Sequence, residues 1–464
     1  MSFFSDFSYN WQVMPSYKKN RIFGGIVVVI VLGVVLYGFY TFFFGKTEES
    51  ALPVTIEVWD VFDREEYYLE VFSNFNGINP NVSVNYRKIP PELYRQTVTE
   101  ALAEGEGPDI YMINNTWLPL ELRRLAPMNE FLPEINPAVV LNEFPDVVRF
   151  DFSREASAGI PLIYSLPSSI DTLALYYNAD YFNSEGIVNP PATLEGLIEY
   201  SKRLRRIDAE GNIQLAGIAM GSADNVNRST DILSLLMLQS GAQMNATFDE
   251  SVTIDQPVRK GEDLFFPGAE AMKFYTSFSD PASENYTWSP ASEDSLDAFI
   301  NGRAAMMINY AYQSDTIRKE NPALNFKIAP MPQPADRLDK VNYANYWGFA
   351  VSKASQNPAV AWELIHYLTQ EENARIYLRA SGRPPALKSL IGNTAIDEEG
   401  REVFDPEYEI FSTQILSARS WIQPDSFEVE QILKNAINYV LNGEKSPASA
   451  VSDATVQINS IINL

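Results

Sequence analysis

The chain has 464 residues, a formal net charge of −25 at pH 7, a single histidine and no cysteine. The absence of cysteine excludes disulfides, thiolate chemistry and cysteine-type zinc sites. The negative charge repels polyanions, which argues against nucleic acid or anionic lipid as a partner. A neutral or cationic ligand fits this charge better, and solubility alone would also account for it. We expect no cofactor and no metal site.

A long apolar segment, residues 22–44, contains no charged side chain. As a helix rising about 1.5 Å per residue it would extend roughly 34 Å, enough to cross a hydrocarbon core about 30 Å thick. Basic residues just before it place residues 1–21 in the cytoplasm and the rest of the chain outside. A cleaved signal peptide is the competing interpretation, but its apolar region usually has only about 7–15 residues. We therefore predict a transmembrane anchor over residues 22–44, followed by a linker over residues 45–53.

About 420 residues follow the anchor, more than one hydrophobic core usually serves, so we expect two lobes. The first part alternates strand and helix patterns: residues 54–62, 65–75, 82–86, 91–104 and 109–113. Three strands with two intervening helices predict parallel strands in an α/β lobe. Ligands of such sheets gather beyond the carboxyl ends of the strands. Each of the two loops there carries a tryptophan with polar neighbours, Trp59 in the first and Trp117 in the second.

A second lobe is predicted between residues 173 and 310. Helical patterns over residues 193–204, 231–239 and 268–278 alternate there with short apolar runs. The chain ends with two amphipathic helices, the first over residues 427–441 and the second opening at Ser446-Pro447.

Several short motifs follow one another along the chain. Residues 159–202 carry an apolar strand, a proline, a short polar segment, an "LxYN" run, a "PPxT" turn and a helix. The further motifs are Gly107-Pro108-Asp109-Ile110, residues 299–309, residues 348–353 with the helix 359–369, Ser381-Gly382-Arg383-Pro384-Pro385 and residues 441–450. Their order and spacing resemble the extracellular solute-binding proteins of ABC importers, specifically the maltose and oligosaccharide group. The resemblance covers nearly all of residues 54–464.

The resemblance implies an α/β, two-lobed periplasmic-binding-protein-like clamp of type II, preceded here by the predicted transmembrane helix. The first lobe would combine residues 54–165 with 310–370, and the second 166–309 with 371–464. The lobes of such a clamp close around a small ligand, here a sugar or oligosaccharide, and the closed form is recognised by ABC transporter permease subunits. The implied protein is a monomer, held to the cell membrane by residues 22–44, with its binding domain on the extracellular or periplasmic side.

Saccharide binding requires flat apolar faces beside polar groups that hydrogen-bond hydroxyls. Carried over by motif, the resemblance implies twelve ligand-binding residues: Trp59, Asp60, Asp63, Arg64, Asn114, Thr116, Trp117, Asp171, Tyr312, Trp347, Arg383 and Trp421. Each has a structural alternative, such as a core position for the tryptophans or a helix-start charge for Asp63 and Arg64. Glu430 and Ile113 occupy positions where oligosaccharide binders carry aromatic side chains. These departures argue against long linear oligosaccharides and favour a monosaccharide, a short or decorated glycan, or a polyol.

Catalysis has little support in the sequence. His366 is the only histidine and lies off the apolar stripe of its predicted helix, so a Ser-His-Asp triad would depend on a peripheral residue. We therefore expect no enzyme activity and no catalytic residues. Two alternatives to an importer subunit stay open: a sensor or surface lectin with the same clamp, and a two-carboxylate glycosidase.

Overall fold

The computed structural model describes Gly33 and residues 53–156, 159–244, 251–392, 394–397, 400–423 and 425–462. The predicted cytoplasmic tail, anchor and linker therefore lie outside the described residues, except for the helical Gly33 and for Pro53. No helix within the described ranges is both long and apolar enough to cross a membrane.

The strands, in chain order, are β1 (Val54–Asp60), β2 (Val82–Lys88), β3 (Ile110–Asn114), β4 (Ser153–Glu155), β5 (Pro161–Ile163), β6 (Leu166–Pro167), β7 (Asp171–Thr172), β8 (Ala174–Asn178), β9 (Arg206–Ile207), β10 (Ile213–Leu215), β11 (Val258–Lys260), β12 (Asp263–Phe265), β13 (Met306–Asn309), β14 (Phe326–Ala329), β15 (Asn342–Asn345), β16 (Trp347–Val351), β17 (Thr394–Ile396), β18 (Glu402–Phe404) and β19 (Ala418–Arg419).

The α-helices are α1 (Leu69–Ile78), α2 (Pro91–Glu104), α3 (Leu118–Glu121), α4 (Met128–Phe131), α5 (Pro137–Glu143), α6 (Asp146–Phe152), α7 (Ala179–Ser184), α8 (Leu194–Leu204), α9 (Ser229–Ser240), α10 (Pro267–Thr276), α11 (Ser295–Ile300), α12 (Gln313–Glu320), α13 (Pro358–Leu368), α14 (Glu371–Ser381), α15 (Pro406–Gln414), α16 (Ser426–Leu441) and α17 (Pro447–Ile462). Single 3-10 turns cover Glu65–Tyr67, Leu122–Arg124, Lys388–Leu390 and Ile415–Ser417.

The first lobe is built on a sheet in the order β2-β1-β3-β16-β6. The predicted parallel arrangement is confirmed for β1 and β3, which pair through Val58 and Ile110. Strand β1 ends two residues earlier than predicted, because the Asp60 carboxylate accepts the backbone N–H of Phe62 and turns the chain. Strand β16 runs antiparallel to β3 and places Trp347 opposite Asn114, at the carboxyl end of β3.

The second lobe is built on a sheet in the order β13-β8-β14, with both outer strands antiparallel to β8. Helices α9, α10, α16 and α17 pack together beside it. Their apolar faces and strand β8 form one core, which includes Leu175, Ile232, Met306 and Ile458. The two C-terminal amphipathic helices predicted from the sequence are confirmed, and Asp425 caps the first by accepting the backbone N–H of Phe427 at 2.9 Å.

Strand pairing divides the chain differently from the predicted lobe boundaries. The sequence grouped residues 310–370 with the first lobe, but β14 lies within that range and pairs with β8 of the second. The sequence also assigned residues 371–464 to the second lobe, whereas α14 packs against α1 of the first. Strand β14 belongs to the second lobe because β8 pairs along both of its edges. Its first partner is β13, and its second partner, β14, comes only after residue 310.

A third, small sheet in the order β19-β15-β7 lies where the chain passes between the lobes. Strand β15 leads directly through Tyr346 into β16 of the first lobe. The buried carboxylate of Asp151, in α6, accepts hydrogen bonds from the Tyr346 hydroxyl at 2.7 Å, from Asn115 Nδ2 at 3.0 Å and from the Ser420 hydroxyl. Asp151 therefore ties α6 to two segments of this crossing region.

Candidate functional site

A cavity of about 1260 Å³ lies between the two lobes. The first lobe contributes the loop after β1, Trp347 and the end of α14. The second lobe contributes the loop between β13 and α12 and the start of α15, and the hairpin β17–β18 lines the cavity as well. Its volume exceeds the roughly 300–1,000 Å³ of most small-ligand pockets, so a ligand larger than one sugar ring would fit.

Asp63 organises the first-lobe wall of this cavity. One oxygen of its carboxylate accepts hydrogen bonds from Arg383 Nε at 2.9 Å and Nη2 at 2.7 Å. The other accepts the hydroxyls of Tyr68 at 2.9 Å and Tyr377 at 2.7 Å. Burial raises the pKa of Tyr377 well above its usual value, so its hydroxyl stays protonated and donates. The buried carboxylate thereby fixes Arg383 and two tyrosines at the cavity.

Arg383 is the cation of this arrangement. Burial acts to lower its pKa, but the charge and hydrogen bonds of Asp63, together with Tyr377 and Asp171, raise the pKa above its usual value. The guanidinium is thus charged at every pH at which the protein is folded. Charge-assisted hydrogen bonds of this kind are shorter and stronger than neutral ones, so the position of Arg383 is well defined.

Asp60 lies at the base of the same loop and is 1% exposed. Its Oδ1 accepts the backbone N–H groups of Phe62 at 2.9 Å and Asp63 at 3.2 Å. Burial, followed by the neighbouring charge of Asp63, raises the pKa of Asp60 to about 6. Asp60 therefore shapes the loop that carries Phe62 and Asp63 into the cavity.

Asp171 lines the cavity where the chain enters β7. Its carboxylate accepts three backbone N–H groups: Thr172 at 2.8 Å, Ala311 at 2.9 Å and Tyr312 at 3.3 Å. Burial raises the pKa of Asp171 to about 6, against the effect of these hydrogen bonds. The carboxylate holds the loop that presents Tyr312.

Tyr312 forms an aromatic platform on the second-lobe wall. Tyr312 is 36% exposed, and its ring stacks on that of Tyr310 with the centroids 6.3 Å apart and the planes at 15°. Arg228 Nη2 donates to the Tyr312 hydroxyl at 2.8 Å, and the Tyr310 hydroxyl donates to Asp231 Oδ2 at 2.8 Å. Asn345 Nδ2 approaches the same Asp231 oxygen at 3.4 Å. A network of polar side chains therefore fixes the position of the platform.

Arg228 adopts a left-handed backbone conformation with φ at 64°, the only non-glycine residue to do so in the described part of the chain. Such a conformation costs on the order of 1 kcal/mol or more and persists where the surroundings impose it. Here it turns the guanidinium toward both rings of the platform, 5.8 Å from the Tyr310 centroid and 5.9 Å from the Tyr312 centroid.

The cavity lining carries more negative than positive charge. Seven carboxylates and three guanidinium groups contribute to it: Asp60, Asp63, Asp171, Asp315, Asp397, Asp405 and Glu407, with Arg228, Arg318 and Arg383. Arg383 pairs with Asp63, and Arg318 pairs with Glu407 at 2.5 Å. This balance favours a neutral ligand over an anionic one, as the net charge of the chain already indicated.

Six of the twelve predicted ligand-binding residues line this cavity: Asp60, Asp63, Asp171, Tyr312, Trp347 and Arg383. Four others belong to the first lobe and do not line it. Trp59 is buried, with the Arg87 guanidinium 4.7 Å from its ring centroid, and Arg64 donates to the Tyr67 hydroxyl at 3.0 Å on the surface. The Thr116 hydroxyl donates to Asn114 Oδ1 at 2.8 Å.

The remaining two predicted residues are tryptophans with different surroundings. Trp421 is buried in the core of the second lobe, and its Nε1 donates to the Ser234 hydroxyl at 3.3 Å. Trp117 lines a second cavity of about 770 Å³, which shares Phe62 and Trp347 with the first.

Other cavity residues were missed by the sequence interpretation: Arg228, Tyr310, Arg318, Asn345, Tyr377 and Phe404. Tyr310 could have been predicted from the sequence, because it lies two residues before the predicted ligand-binding residue Tyr312. Tyr377 and Arg228 had none, since their roles depend on partners far along the chain. His366, the only histidine, lines neither cavity, and burial lowers its pKa. Within the described residues no group of three or more acidic or histidine side chains is arranged to hold a metal ion.

Two α/β lobes joined by several crossings, with a ligand-sized cavity between them, define a clamp-type binding protein. The chain belongs to the bacterial extracellular solute-binding protein family, whose family model matches residues 62–375. The predicted two-lobed fold and family are thus confirmed.

Individual relatives agree with this assignment. A putative binding protein of Brucella abortus is 23% identical over 404 residues, 85% of this chain and 90% of the relative. The galactooligosaccharide-binding protein of Bacillus subtilis is 24% identical over 294 residues, 63% of this chain and 64% of the relative. The crystal structure of the cyclic α-maltosyl-1,6-maltose binding protein of Arthrobacter globiformis superposes with a TM-score of 0.70 at 18% identity, covering 88% of this chain and 99% of that one.

Proposed function

We propose that this protein captures a carbohydrate in the cavity between its lobes and delivers it to an ABC importer. The observation that carries the proposal is the composition of that cavity, whose lining includes both exposed aromatic rings and polar groups fixed by hydrogen bonds. Tyr312 and Phe62 offer flat apolar faces, while Arg383 and Asn345 offer hydrogen bonds. The pattern suits a sugar ring, which has apolar C–H faces and hydroxyl groups around its edge.

The names of relatives support the same class of ligand, since two of the three compared proteins are described as binding galactooligosaccharide or a cyclic maltosyl-maltose. Of the seven carboxylates that line the cavity, Asp63 is unsuited to a role in hydrolysis. A glycosidase needs one carboxyl group that donates a proton and one that acts as base or nucleophile. Asp63 already accepts four hydrogen bonds and has no free oxygen for either role.

The proposal includes attachment to the outer face of the cell membrane through residues 22–44. The uncharged run in the sequence and the family's extracellular placement support it. Deleting residues 1–44 should move the protein from the membrane fraction to the soluble fraction. Recovery of the full-length chain in the soluble fraction would contradict the anchor.

The binding proposal is tested by measuring the thermal midpoint of the full-length chain against sugars, short oligosaccharides, polyols, amino acids and peptides. A ligand that binds only the native state raises the midpoint, because it stabilises by RT ln(1 + [L]/Kd). We expect a shift for one class of saccharide, with the sugar recovered intact. Tyr312→Ala should reduce that shift, whereas Tyr164→Ala, which removes a tyrosine outside both cavities, should not. A response to peptides or amino acids alone would overturn the carbohydrate assignment.

A further inference from the structure

The carboxylate of Asp151 connects three segments of the chain at the boundary between the lobes. Asp151 lies near the end of α6 in the first lobe and is 3% exposed. Its partners are Tyr346, the single residue between β15 and β16, Asn115, which follows β3, and Ser420, which follows β19. Ser420 leads directly to Trp421, which is buried in the core of the second lobe. Asp151 therefore connects the first lobe to a segment that enters the second.

The two oxygens of this carboxylate accept from different kinds of donor. Oδ2 accepts the Tyr346 hydroxyl at 2.7 Å and Asn115 Nδ2 at 3.0 Å, while Oδ1 accepts the Ser420 hydroxyl. An amide nitrogen can only donate, whereas a serine hydroxyl can donate or accept. A proton on Oδ2 would compete with the N–H of Asn115, but a proton on Oδ1 can be donated to Ser420. Asp151 therefore takes up its proton at Oδ1.

Proton uptake at Oδ1 changes the hydrogen bond with Ser420 most. With Asp151 ionised, this bond is charge-assisted, and such bonds are roughly twice as strong as neutral ones. With Asp151 protonated, the bond joins two neutral hydroxyl groups and runs in the opposite direction. The hydrogen bonds at Oδ2 keep their direction. The contact that leads into the second lobe is thus the one most sensitive to protonation.

The groups around Asp151 allow it to change charge near neutral pH. Burial raises the pKa of Asp151 to about 7, against its three hydrogen bonds and the charge of Arg154 in β4. The hydroxyls of Tyr346 and Tyr343 stay protonated, because burial raises their pKa values well above the usual value. The other charged side chains of α6, α5, β4 and β19 are exposed or partly buried: Glu143, Asp146, Arg149, Glu155 and Arg419. Asp151 is therefore the group in this cluster whose charge changes near pH 7.

We propose that Asp151 is a proton switch of the clamp: its ionised carboxylate holds the Ser420 segment to α6 and restricts rotation of the lobes, and protonation at Oδ1 loosens that segment and widens the range of lobe orientations. The switch belongs to the protein without its ligand. It goes beyond the proposed function, because it depends on the crossing region and not on what the cavity binds.

The test measures distances between the lobes in the ligand-free, full-length protein, in a detergent without a sugar headgroup. The chain has no cysteine, so Ile78→Cys combined with Val188→Cys gives one labelling site in each lobe, at positions 65% and 91% exposed. Time-resolved fluorescence energy transfer has a nanosecond window, shorter than microsecond-to-millisecond hinge motion, and so records the distribution of distances.

We expect the distance distribution to be wider at about pH 6.5 than at about pH 8. The protonated fraction of Asp151 rises from about one tenth to about three quarters over this interval, so most of the change should occur there, with its midpoint near pH 7. Asp151→Asn imitates the protonated acid, because an amide group can donate to Ser420 and accept at its oxygen. Its distribution should be wide at both pH values. Ser420→Ala, which removes the hydrogen bond, should behave in the same way.

Two further variants serve as matched controls. Asp146→Asn changes a fully exposed carboxylate of the same helix and should keep the wild-type response. Asp171→Asn changes another buried carboxylate of the crossing region, whose pKa burial raises to about 6, and should leave the midpoint near pH 7.

The proposal is overturned if the wild-type distribution is equally wide at both pH values. It is also overturned if Asp151→Asn keeps the wild-type pH response, because another group would then carry it. A distribution that stays narrow at about pH 8 in Ser420→Ala would show that this hydrogen bond does not restrain the lobes, and would overturn it too. Since no ligand is present, the outcome is independent of whether the proposed function is correct.

Discussion

Two buried carboxylates of the first lobe, Asp63 and Asp151, have contrasting surroundings. Asp63 accepts hydrogen bonds from two tyrosines and from Arg383, whose charge opposes its own. Asp151 accepts hydrogen bonds from three neutral groups, and Arg154 influences it less than they do. Burial raises the pKa of Asp151 to about 7 in spite of these bonds. Neutral donors alone therefore do not offset the cost of burying a charge, which explains why the ligand cavity pairs Asp63 with an arginine.

Removing Arg383, the cation that pairs with Asp63, should cause the largest loss of stability. Arg383→Ala leaves the Asp63 carboxylate buried without a counter-charge, and we expect the free energy of unfolding at pH 7 to fall by about 3 kcal/mol. Urea unfolding followed by circular dichroism measures the change. Saccharide binding should be lost as well, because Arg383 lines the cavity.

Arg379→Ala is the matched control for this substitution. Arg379 lies in α14, which ends at Ser381 just before Arg383, and it pairs with Glu70, which is half-exposed, so its loss should cost less than about 1 kcal/mol. Equal losses for the two variants would mean that the pairing of Asp63 contributes no more than a surface ion pair does.

Asp151 should make the stability of the protein depend on pH. Its raised pKa means that the native protein binds this proton more tightly than the unfolded chain, so the stabilisation is full at low pH and is lost as pH rises through about 7. The free energy of unfolding should therefore decrease from pH 5 to pH 8. In Asp151→Asn we expect this decrease to be smaller by about 2 kcal/mol, measured by urea unfolding at both pH values.

A residual decrease below about pH 6 should survive in Asp151→Asn, because burial also raises the pKa values of Asp60 and Asp171 to about 6. Ser420→Ala provides a graded comparison. It removes one donor to the Asp151 carboxylate, and we expect it to lower stability at pH 8 by about 1 kcal/mol and at pH 5 by less. An unchanged pH profile in Asp151→Asn would show that another group carries the titration.

The sequence predicted the fold and part of the site for identifiable reasons. Periodicity and motif order led to the correct family, the parallel pairing of β1 with β3 and the amphipathic C-terminal helices. The rule that ligands gather at the carboxyl ends of strands pointed to the loop of Asp60 and Asp63, which does line the cavity. Such features depend on local sequence or on the direction of a strand.

What the sequence did not reveal depends on contacts between distant segments. Asp63 and Arg383 meet across 320 residues, so neither position shows the pairing by itself. Trp59 and Trp117 were predicted from residue type and strand-end position, and Trp421 from the family resemblance, but neighbouring elements bury all three. The lobe boundaries shifted because β14 completes the sheet of the second lobe from a part of the chain assigned to the first.

The strand order of the first sheet has a consequence for biosynthesis. Strand β16 lies between β3 and β6, although it is translated more than 200 residues after β3. The sheet of the second lobe needs only strands that end by Ala329, so all of it has been synthesised before Trp347 is added. The lobe that begins the chain is thus the last to complete its sheet, opposite to the usual N-terminal-first order. Until residue 351 has been translated, β3 lacks its antiparallel neighbour and presents an unpaired edge.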